Sequence, residues 1–285
     1  MIPVSRKNSL KKIARNIITY FFIIIVLIWI LFPFYWALVT SIKAPADWLT
    51  SKLIPFLEFQ PTLTTWIEAI LLPEVSKALI NNIIIATSSA TLAIILGTPA
   101  AYALARFEFK RWKNRDISIF ILSQRMLPPA VVIIPFFLMM HISGLLDTQL
   151  SLILVHTTFN LPFVVWIIRE FFLDLPKQYE EAALIDGCSS LMAFAKIALP
   201  LSMYGLIATW ILCFIFSWNE FLFVLILSYT KSITLPWIIA SGEHTRGIEW
   251  GLITTHTLLS IIPPIIMVQF IRKYLIRGLT LGMVK

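Results

Sequence analysis

The chain has 285 residues, of which 59% are hydrophobic and only 13% are charged. Soluble domains carry about 25% charged residues, so this composition excludes an ordinary soluble protein and indicates a membrane protein with several spans. The net charge of +8 would also suit a nucleic-acid partner, but the positions of the basic residues, given below, favour membrane topology instead.

Six apolar stretches are long enough to cross the membrane, because about 20 helical residues span about 30 Å of hydrocarbon. In chain order they are residues 16–42, 78–105, 117–140, 148–168, 201–228 and 251–271. A charge interrupts only two of them, Arg125 in the third and Glu220 in the fifth. Prolines well inside a span are expected to kink it, since each removes a backbone donor. The sequence therefore predicts one all-α membrane domain, residues 1–285, with six transmembrane helices.

Lys and Arg residues are distributed unevenly between the two sides of these spans. Seventeen of the 23 lie before the first span, between the second and third, between the fourth and fifth, or after the sixth, whereas five lie on the opposite side. Because basic residues concentrate on the cytoplasmic side, both termini and the segment between the fourth and fifth spans are predicted to be cytoplasmic. Residues 43–77 then lie outside, with a short helix expected near residues 63–71.

A polar segment, residues 174–200, separates the fourth and fifth spans and has the pattern of two short helices. Glu180 and Glu181 place negative charge near the start of the first helix, and Gly187 can adopt the left-handed conformation that ends it. Ser189 or Ser190 can cap the second helix. Helices this short are unstable alone in water, and their apolar residues indicate a partner groove. The alternative is an ordinary cytoplasmic loop with a solvated acidic face.

The spacing of fixed residues in this segment resembles the EAA loop of ABC importer permeases. The matching residues are Glu181, Ala182, Ala183, Gly187, Ile197, Leu199 and Pro200. The resemblance implies the type I ABC importer permease fold. It also implies that these residues form the cytoplasmic contact with an ATPase subunit, in which Glu181 can pair with a basic residue of the partner.

The C-terminal tail, residues 272–285, resembles that of the shorter permease subunit of maltose-type sugar importers. The residues that fit include Gly278, Leu279, Thr280, Gly282 and Lys285. In that family the tail reaches into the interface of the ATPase dimer, so the resemblance implies the same contact here. The alternative is a basic tail that binds anionic lipid.

The resemblance also implies the partners of this chain and its place in the cell. They are a second, homologous permease, two ATPase subunits that bind ATP and Mg, and an external solute-binding protein, in the cytoplasmic (inner) membrane of a bacterium or archaeon. None of the nine glycines is followed by lysine, so the chain lacks the phosphate-binding loop of an ATPase. Its cysteines and histidines have no metal-ligand spacing, and no catalytic set is evident. We therefore expect no cofactor, metal or enzyme chemistry in this chain.

Polar residues within the spans are candidates for a substrate path, because charges and amides at membrane depth face a cavity or a partner. The candidates are Gln124, Arg125, Asn160, Trp218, Asn219 and Glu220. Trp218 is the best aromatic surface for a sugar ring. A direct ion pair between Arg125 and Glu220 is a weaker hypothesis, and the amides could instead form hydrogen bonds between helices.

Taken with the resemblance, the sequence predicts the membrane-spanning permease subunit of a binding-protein-dependent ABC importer for a carbohydrate, meaning a sugar, an oligosaccharide or a polyol. ATP hydrolysis in a partner subunit would drive alternating access. A non-sugar solute such as glycerol phosphate is an alternative, and a secondary transporter that needs no ATPase is a more distant one.

Overall fold

The computed structural model describes the backbone of residues 4–241, 243–244 and 247–281, and the side chains of residue 12 and of residues 15–241 and 248–270. In the described residues the regular structure is helical, except for two-residue strands at Glu243–His244 and Gly247–Ile248 that pair antiparallel. The chain divides into two compact units, one of residues 1–71 and 242–259 and the other of residues 72–241 and 260–285.

The first unit contains a long N-terminal helix and the segment of residues 42–71 that follows it. Helix α1 (Val4–Ser41) runs through Pro33, and α2 (Thr64–Leu71) is the short helix expected near residues 63–71. Between them the Lys43 ammonium is buried, donating to Thr50 O at 3.1 Å and lying 5.6 Å from the centre of the Phe59 ring. These contacts give the segment between α1 and α2 a defined structure.

The second unit is built around three long helices and several short ones. Its helices are α3 (Pro73–Arg106), α4 (Asn114–Ser123), α5 (Pro129–Ile142), α6 (Gln149–Asp174), α7 (Gln178–Ile185), α8 (Ser190–Ala193), α9 (Leu199–Leu201), α10 (Met203–Trp218), α11 (Leu222–Leu227) and α12 (Leu235–Ala240). A π-helical turn joins α8 to α9. The last helix, α13 (Trp250–Leu281), begins in the first unit and ends in the second.

Small residues allow α3, α6 and α10 to approach closely. A Cβ atom at Gly97 of α3 would lie 2.6 Å from Val164 of α6, and one at Gly205 of α10 would lie 2.6 Å from the Phe171 ring. The buried face of α3 also carries Ala86, Ala90, Ala93 and Ala101. Because lipid supplies no hydrophobic drive for helix association, close van der Waals packing of this kind holds the helices together.

Four of the six predicted spans are single helices, and two are broken. Residues 15–41, 73–106, 149–174 and 250–270 each form a helix long and apolar enough to cross a membrane. The predicted span 117–140 bends by 87° between residues 126 and 129, and helix 203–218 of the predicted span 201–228 lies at 74° to the preceding helical segment 190–201.

Prolines were expected to kink the third predicted span, and its bend lies at Pro128 and Pro129. No proline lies inside the fifth predicted span, so the end of its helix at Trp218 was not expected. Leu127 and Pro128 are extended because each precedes a proline, and proline disfavours the helical conformation in the residue before it. In the fifth span α10 ends at Trp218, and Glu220 then accepts from Phe223 N at 3.0 and 3.1 Å at the start of α11. A carboxylate in this position stabilises a new helix N-terminus.

Candidate functional site

Residues 174–200, which we call the coupling segment, form two short helices with a bend at Gly187. Gly187 has a φ of +90°, which L side chains rarely adopt. Its N–H donates to Leu184 O at 3.1 Å, and the N–H of Cys188 donates to Ala183 O at 2.9 Å, so both amides satisfy carbonyls at the end of α7. The Ser189 hydroxyl accepts from Met192 N at the start of α8. The structure thus has the helix, bend and cap that the sequence indicates.

The predicted contact residues divide between two faces of the coupling segment. Glu181, Ala182, Gly187 and Pro200 are exposed, whereas Ala183 is buried and Ile197 and Leu199 are half-buried. On the inner face Phe194 packs 4.7 Å from the Tyr102 ring and 6.3 Å from the Phe172 ring, measured between ring centroids.

The outer face of the coupling segment carries bulky apolar side chains at the bend. Ile185 is 86% exposed and lies within four residues of the exposed Glu181 and Ala182. Leu191 is 75% exposed and lies six residues after Ile185. One face is therefore fixed to the rest of the unit, and the other presents apolar and acidic groups outwards.

A buried ion cluster that the sequence analysis did not identify fastens the start of α7 to the end of α3. The Glu180 carboxylate accepts from Arg106 Nη2 at 2.7 Å, from Arg106 Nε at 2.8 Å and from the Tyr102 hydroxyl at 2.6 Å. Arg106 Nη2 also donates to Leu175 O at 3.2 Å. Arg106 had been counted only as a topology charge and Glu180 only as a helix-dipole partner. The available signal was that Tyr102 and Arg106 are four residues apart, and so share a face of α3.

A polar cavity of about 270 Å³ lies among α5, α6 and α10 within the second unit. Its lining residues are Arg125, Pro129, His156, Phe159, Asn160, Phe216, Ser217, Glu220 and Phe223. We call it the membrane cavity, because it lies among helices that belong to the candidate spans.

Arg125 is held in the membrane cavity mainly by aromatic rings. Its Nη1 donates to Phe159 O at 3.0 Å, and its guanidinium carbon lies 5.7, 4.8 and 5.0 Å from the ring centres of Phe159, Phe163 and Phe216. A guanidinium over aromatic faces gains cation–π attraction without an anionic partner. Both members of the hypothetical Arg125–Glu220 pair are described, and no ion pair joins them, although they line the same cavity.

Glu220 lies instead beside His156, a residue that the sequence analysis did not select. His156 Nε2 is 3.3 Å from Glu220 Oε2, close enough for an ion pair when the imidazole is protonated, but without the alignment of a hydrogen bond. His156 is only 3% exposed, and neither ring nitrogen has a hydrogen-bond partner. A single histidine within an apolar helix does not by itself indicate a functional site. The only further signal was that His156 lies four residues before Asn160.

The remaining predicted path residues lie in different surroundings. Asn160 lines the membrane cavity and donates from Nδ2 to Ser217 Oγ at 2.9 Å. Gln124 and Asn219 are exposed, and their amides donate to the carbonyls of Phe120 and Ile215 in the helices that they follow. Trp218 has no exposed surface, because it packs on Phe214 and donates from Nε1 to Ser260 O at 3.0 Å. The structure thus brings together Arg125, Asn160 and Glu220 and places the Trp218 ring in the core.

Asp147 organises the turn after α11. Its carboxylate accepts from the backbone N–H groups of Tyr229, Thr230 and Lys231 at 2.9–3.0 Å. Burial raises the pKa of this carboxyl, but the three backbone donors outweigh burial and hold its pKa well below the usual range. Asp147 itself has a φ of +57°, and its N–H donates to Leu227 O. The connection between α5 and α6 is thereby fixed to the segment that follows α11.

A helical subunit with several membrane spans, a bent helix pair between two of them and a polar cavity within them defines a membrane transport component. The chain belongs to the family of binding-protein-dependent transport system inner membrane components, whose family model matches residues 93–281. The predicted family is therefore confirmed, and its members are transport subunits rather than enzymes.

Relatives match between 74% and 96% of the chain. It is 33% identical over 279 residues to the trehalose/maltose transport system permease protein MalG of Thermococcus litoralis, covering 96% of this chain and 99% of the relative. It is 38% identical over 213 residues to the trehalose transport system permease protein SugB of Mycobacterium tuberculosis, covering 74% and 77%. It is 29% identical over 266 residues to the diacetylchitobiose uptake system permease protein DasC of Streptomyces coelicolor, covering 92% and 94%.

Solved structures confirm the predicted ABC importer permease fold. A chain of a bacterial ABC transporter involved in the import of the acidic polysaccharide alginate superposes with a TM-score of 0.75 at 23% identity, covering 93% of this chain and 97% of that chain. A chain of the MetNI methionine ABC transporter superposes with a TM-score of 0.58 at 16% identity, covering 70% and 96%.

Proposed function

We propose that this chain is the permease subunit of an ABC importer for a carbohydrate, coupled through residues 174–200 to an ATPase that binds ATP and Mg. It assembles with a second, homologous permease, two ATPase subunits and an external solute-binding protein. It lies in the cytoplasmic membrane of a bacterium or archaeon, with both termini and the coupling segment in the cytoplasm.

The two-faced coupling segment is the observation that carries this proposal. Its inner face is tied to the unit by the Glu180 carboxylate and the Phe194 ring, so the segment can move as one body with the helices it contacts. Its outer face leaves Ile185 and Leu191 in contact with water unless a partner covers them. A partner groove of apolar surface with a basic rim fits this face, because Glu181 is exposed beside it.

The proposed mechanism uses these contacts in order. ATP binding closes the ATPase dimer and displaces the coupling segment. The Glu180–Arg106 cluster transmits the displacement to α3, and the turn at Phe194 transmits it through α9 to α10. Because a ligand can shift a conformational equilibrium only through a difference in affinity between the two states, the ATPase must bind the coupling segment differently in each state. The C-terminal residues Gly278, Leu279, Thr280, Gly282 and Lys285 add a second ATPase contact.

Two observations support a carbohydrate as the solute. Relatives that match most of this chain are permeases of trehalose, maltose and diacetylchitobiose systems. The membrane cavity also combines hydrogen-bonding side chains with aromatic faces, as sugar hydroxyls and sugar ring faces require. A secondary transporter is disfavoured, because the family is that of binding-protein-dependent systems.

The test is solute uptake and ATPase activity of the complex purified through a tag on this chain, reconstituted with its binding protein and offered sugars, polyols and glycerol phosphate. Glu181→Lys and Gly187→Pro should leave the complex assembled but abolish the ATPase stimulation by loaded binding protein. Glu170→Gln is the matched control, because it removes an exposed charge from α6 outside the coupling segment. Wild-type uptake in both coupling variants would contradict the proposal. Uptake of glycerol phosphate but of no sugar would show that the solute is glycerol phosphate rather than a carbohydrate.

A further inference from the structure

We propose that the turn of residues 53–59, which we call the Phe56 turn, lies in the membrane interface at the C-terminal end of α1, with the side chains of Phe56 and Leu57 among lipid acyl chains. The adjacent face of α2 lies in the same interface. This surface takes no part in the proposed transport function, and the inference holds whichever side of the membrane that end of α1 faces.

The Phe56 turn exposes two large apolar side chains next to each other. Phe56 is 76% exposed and Leu57 is 82% exposed, and the two residues before them, Ile54 and Pro55, are also uncharged. A contiguous apolar surface of this kind marks a contact with a partner or with a membrane. Water is therefore an unfavourable surrounding for the tip of this turn.

Backbone contacts hold Phe56 in its exposed position. Its φ of +67° is unusual for a bulky residue. The N–H of Phe56 donates to the carbonyl of the buried Phe59 at 2.9 Å. The Glu58 carboxylate accepts from the N–H groups of Leu53 and Ile54. Because strained conformations that the surrounding structure maintains are concentrated at functional contacts, the presentation of this ring indicates a contact.

The depth of the Phe56 turn follows from its contact with α1. The Tyr35 hydroxyl donates to Leu53 O at 2.7 Å. Tyr35 lies six residues before the end of α1 at Ser41, which is about 9 Å along the helix axis. Since residues 15–41 form a candidate span, the turn folds back beside the last turns of that span instead of extending away from it. Tyrosine is enriched at this level of a bilayer, the interface.

Helix α2 presents a second apolar surface at the same end of α1. Thr62 N donates to Ile42 O at 2.8 Å, and Trp66 Nε1 donates to Ser41 Oγ at 3.1 Å, so α2 begins beside the end of the span. One face of α2 is buried, and exposed apolar side chains recur at helical spacing on another. They are Leu63, Ile67, Ile70 and Leu71, which are 57–72% exposed. A helix with one apolar face of this kind lies in the plane of the interface.

Lipid is the occupant that these positions favour. In the part of the chain that the structure describes, none of the most apolar stretch of α1 is buried, so the apolar surfaces of the turn and of the span are continuous. A soluble partner that associates and dissociates would leave Phe56 and Leu57 in water while it is absent, whereas the bilayer is always present at the end of a span.

The charges near the turn do not call for an anionic headgroup. Lys52 Nζ lies 2.7 Å from Asp47 Oδ1, and the Glu58 carboxylate is occupied by backbone donors. Binding strength at an interface depends on buried apolar area and on attraction to anionic lipid, and here only the first is provided. The expected contact is therefore with acyl chains and does not depend on a particular headgroup.

The experiment measures the depth of a nitroxide spin label at Leu57→Cys in the complete complex, reconstituted in vesicles of phosphatidylcholine with and without phosphatidylglycerol. The background is Cys188→Ser, because Cys188 is partly exposed and Cys213 is buried. The reference in water is Lys110→Cys, since Lys110 is exposed in the charged connection between α3 and α4. Collision of each label with oxygen, which favours lipid, and with a nickel chelate, which favours water, reports its depth.

The Leu57→Cys label should have a severalfold higher ratio of oxygen to nickel accessibility than the Lys110→Cys label, in both kinds of vesicle. Phe56→Asn should raise the nickel accessibility of the Leu57→Cys label severalfold, because asparagine tolerates the positive φ and keeps the turn but removes the apolar ring. Phe109→Asn is the control, since it removes an exposed aromatic ring from the connection after α3.

A Leu57→Cys label as accessible to the nickel chelate as the reference would overturn the proposal. A label that neither reagent reaches would also overturn it, and would show that another protein subunit covers the turn. Insertion that requires phosphatidylglycerol would contradict the contact with acyl chains, and so would an effect of Phe56→Asn no larger than that of Phe109→Asn.

Discussion

Two carboxylates, Glu180 in the coupling segment and Glu220 in the membrane cavity, show how one type of residue acquires different roles. Glu180 is surrounded by donors, with two nitrogens of Arg106 and the Tyr102 hydroxyl on its two oxygens. Glu220 has one backbone donor and an unaligned histidine. The acceptors of Glu180 are filled by side chains of another helix and hold two elements together, whereas Glu220 accepts only from the backbone at the start of α11. The difference lies in which donors the fold places nearby.

Removing Glu180 should have the largest effect on this comparison. Glu180→Ala leaves the buried Arg106 charge without its partner, and breaking a buried pair from one side costs about 3–5 kcal/mol. The expected result is a complex with a clearly lower melting temperature, measured in detergent.

The double variant Glu180→Leu with Arg106→Leu provides the control. Replacing both charges by apolar groups should restore most of the stability, since no buried charge remains unpaired. ATPase stimulation by the loaded binding protein should stay low in the double variant, because the connection between α7 and α3 is gone. A double variant with normal coupling would show that this cluster serves stability alone.

Arg125→Lys, in the membrane cavity, should have the next largest effect. Lysine keeps the charge but loses the flat guanidinium that lies over three rings, and cation–π contacts contribute about 0.5–2 kcal/mol each. We expect a loss of about 2 kcal/mol in stability and a reduced uptake rate. Thr158→Ala is the control, because Thr158 lies on α6 but outside the cavity and its hydroxyl donates to Leu154 O. Thermal unfolding and uptake by Arg125→Lys and the control Thr158→Ala, measured together, check both. A variant as stable and active as the control would show that the aromatic setting of Arg125 contributes nothing.

Gly187→Ala should have a moderate effect that is confined to the coupling segment. The backbone at φ +90° disfavours a side chain by about 1 kcal/mol, although no atom lies within 4 Å of the added methyl group. The loss of ATPase stimulation should be severalfold smaller in Gly187→Ala than in Gly187→Pro, because alanine can still adopt the backbone conformation of the bend. Equal loss in the two variants would indicate that the space around Gly187 is filled by a partner rather than limited by backbone strain.

The smallest effect concerns Asp147 and pH. Its folded-state pKa lies below the unfolded value of about 3.9, so the anchor contributes its stability above about pH 4 and loses it only as the pH falls further. Hydrogen exchange of the Tyr229, Thr230 and Lys231 amides should therefore show the same protection at about pH 8 and about pH 5. Asp147→Asn should lower that protection at both. Amide protection that disappears between these two pH values would contradict the low pKa of the Asp147 carboxyl.

Much of the architecture could be predicted from the sequence, because apolar length and turn chemistry are local properties. The spans at 16–42, 78–105, 148–168 and 251–271 each coincide with a long helix, and Gly187 and Ser189 indicated the bend of the coupling segment. Residues 272–281 are helical in continuation of α13, and Gly282 and Lys285 of the predicted tail contact lie outside the described residues.

What the sequence could not supply depends on contacts between distant parts of the chain. The Glu180–Arg106 cluster joins residues 74 positions apart. The His156–Glu220 approach requires α6 and α10 to be packed side by side, and the buried position of Trp218 depends on Phe214 and the later helix α13. The break at Pro128–Pro129 was available from the sequence as a proline pair, but its 87° bend was not.

The central claim is that an ATPase acts on this subunit through the outer face of residues 174–200. A photo-crosslinking amino acid at Ile185, compared with one at Ile142, which is 84% exposed at the far end of α5, tests it in membranes containing the whole complex. The account predicts that the Ile185 probe forms a crosslink to the ATPase subunit and that its yield changes with ATP, whereas the Ile142 probe forms none. An Ile185 probe that never reaches the ATPase, or an Ile142 probe that does, would contradict the account.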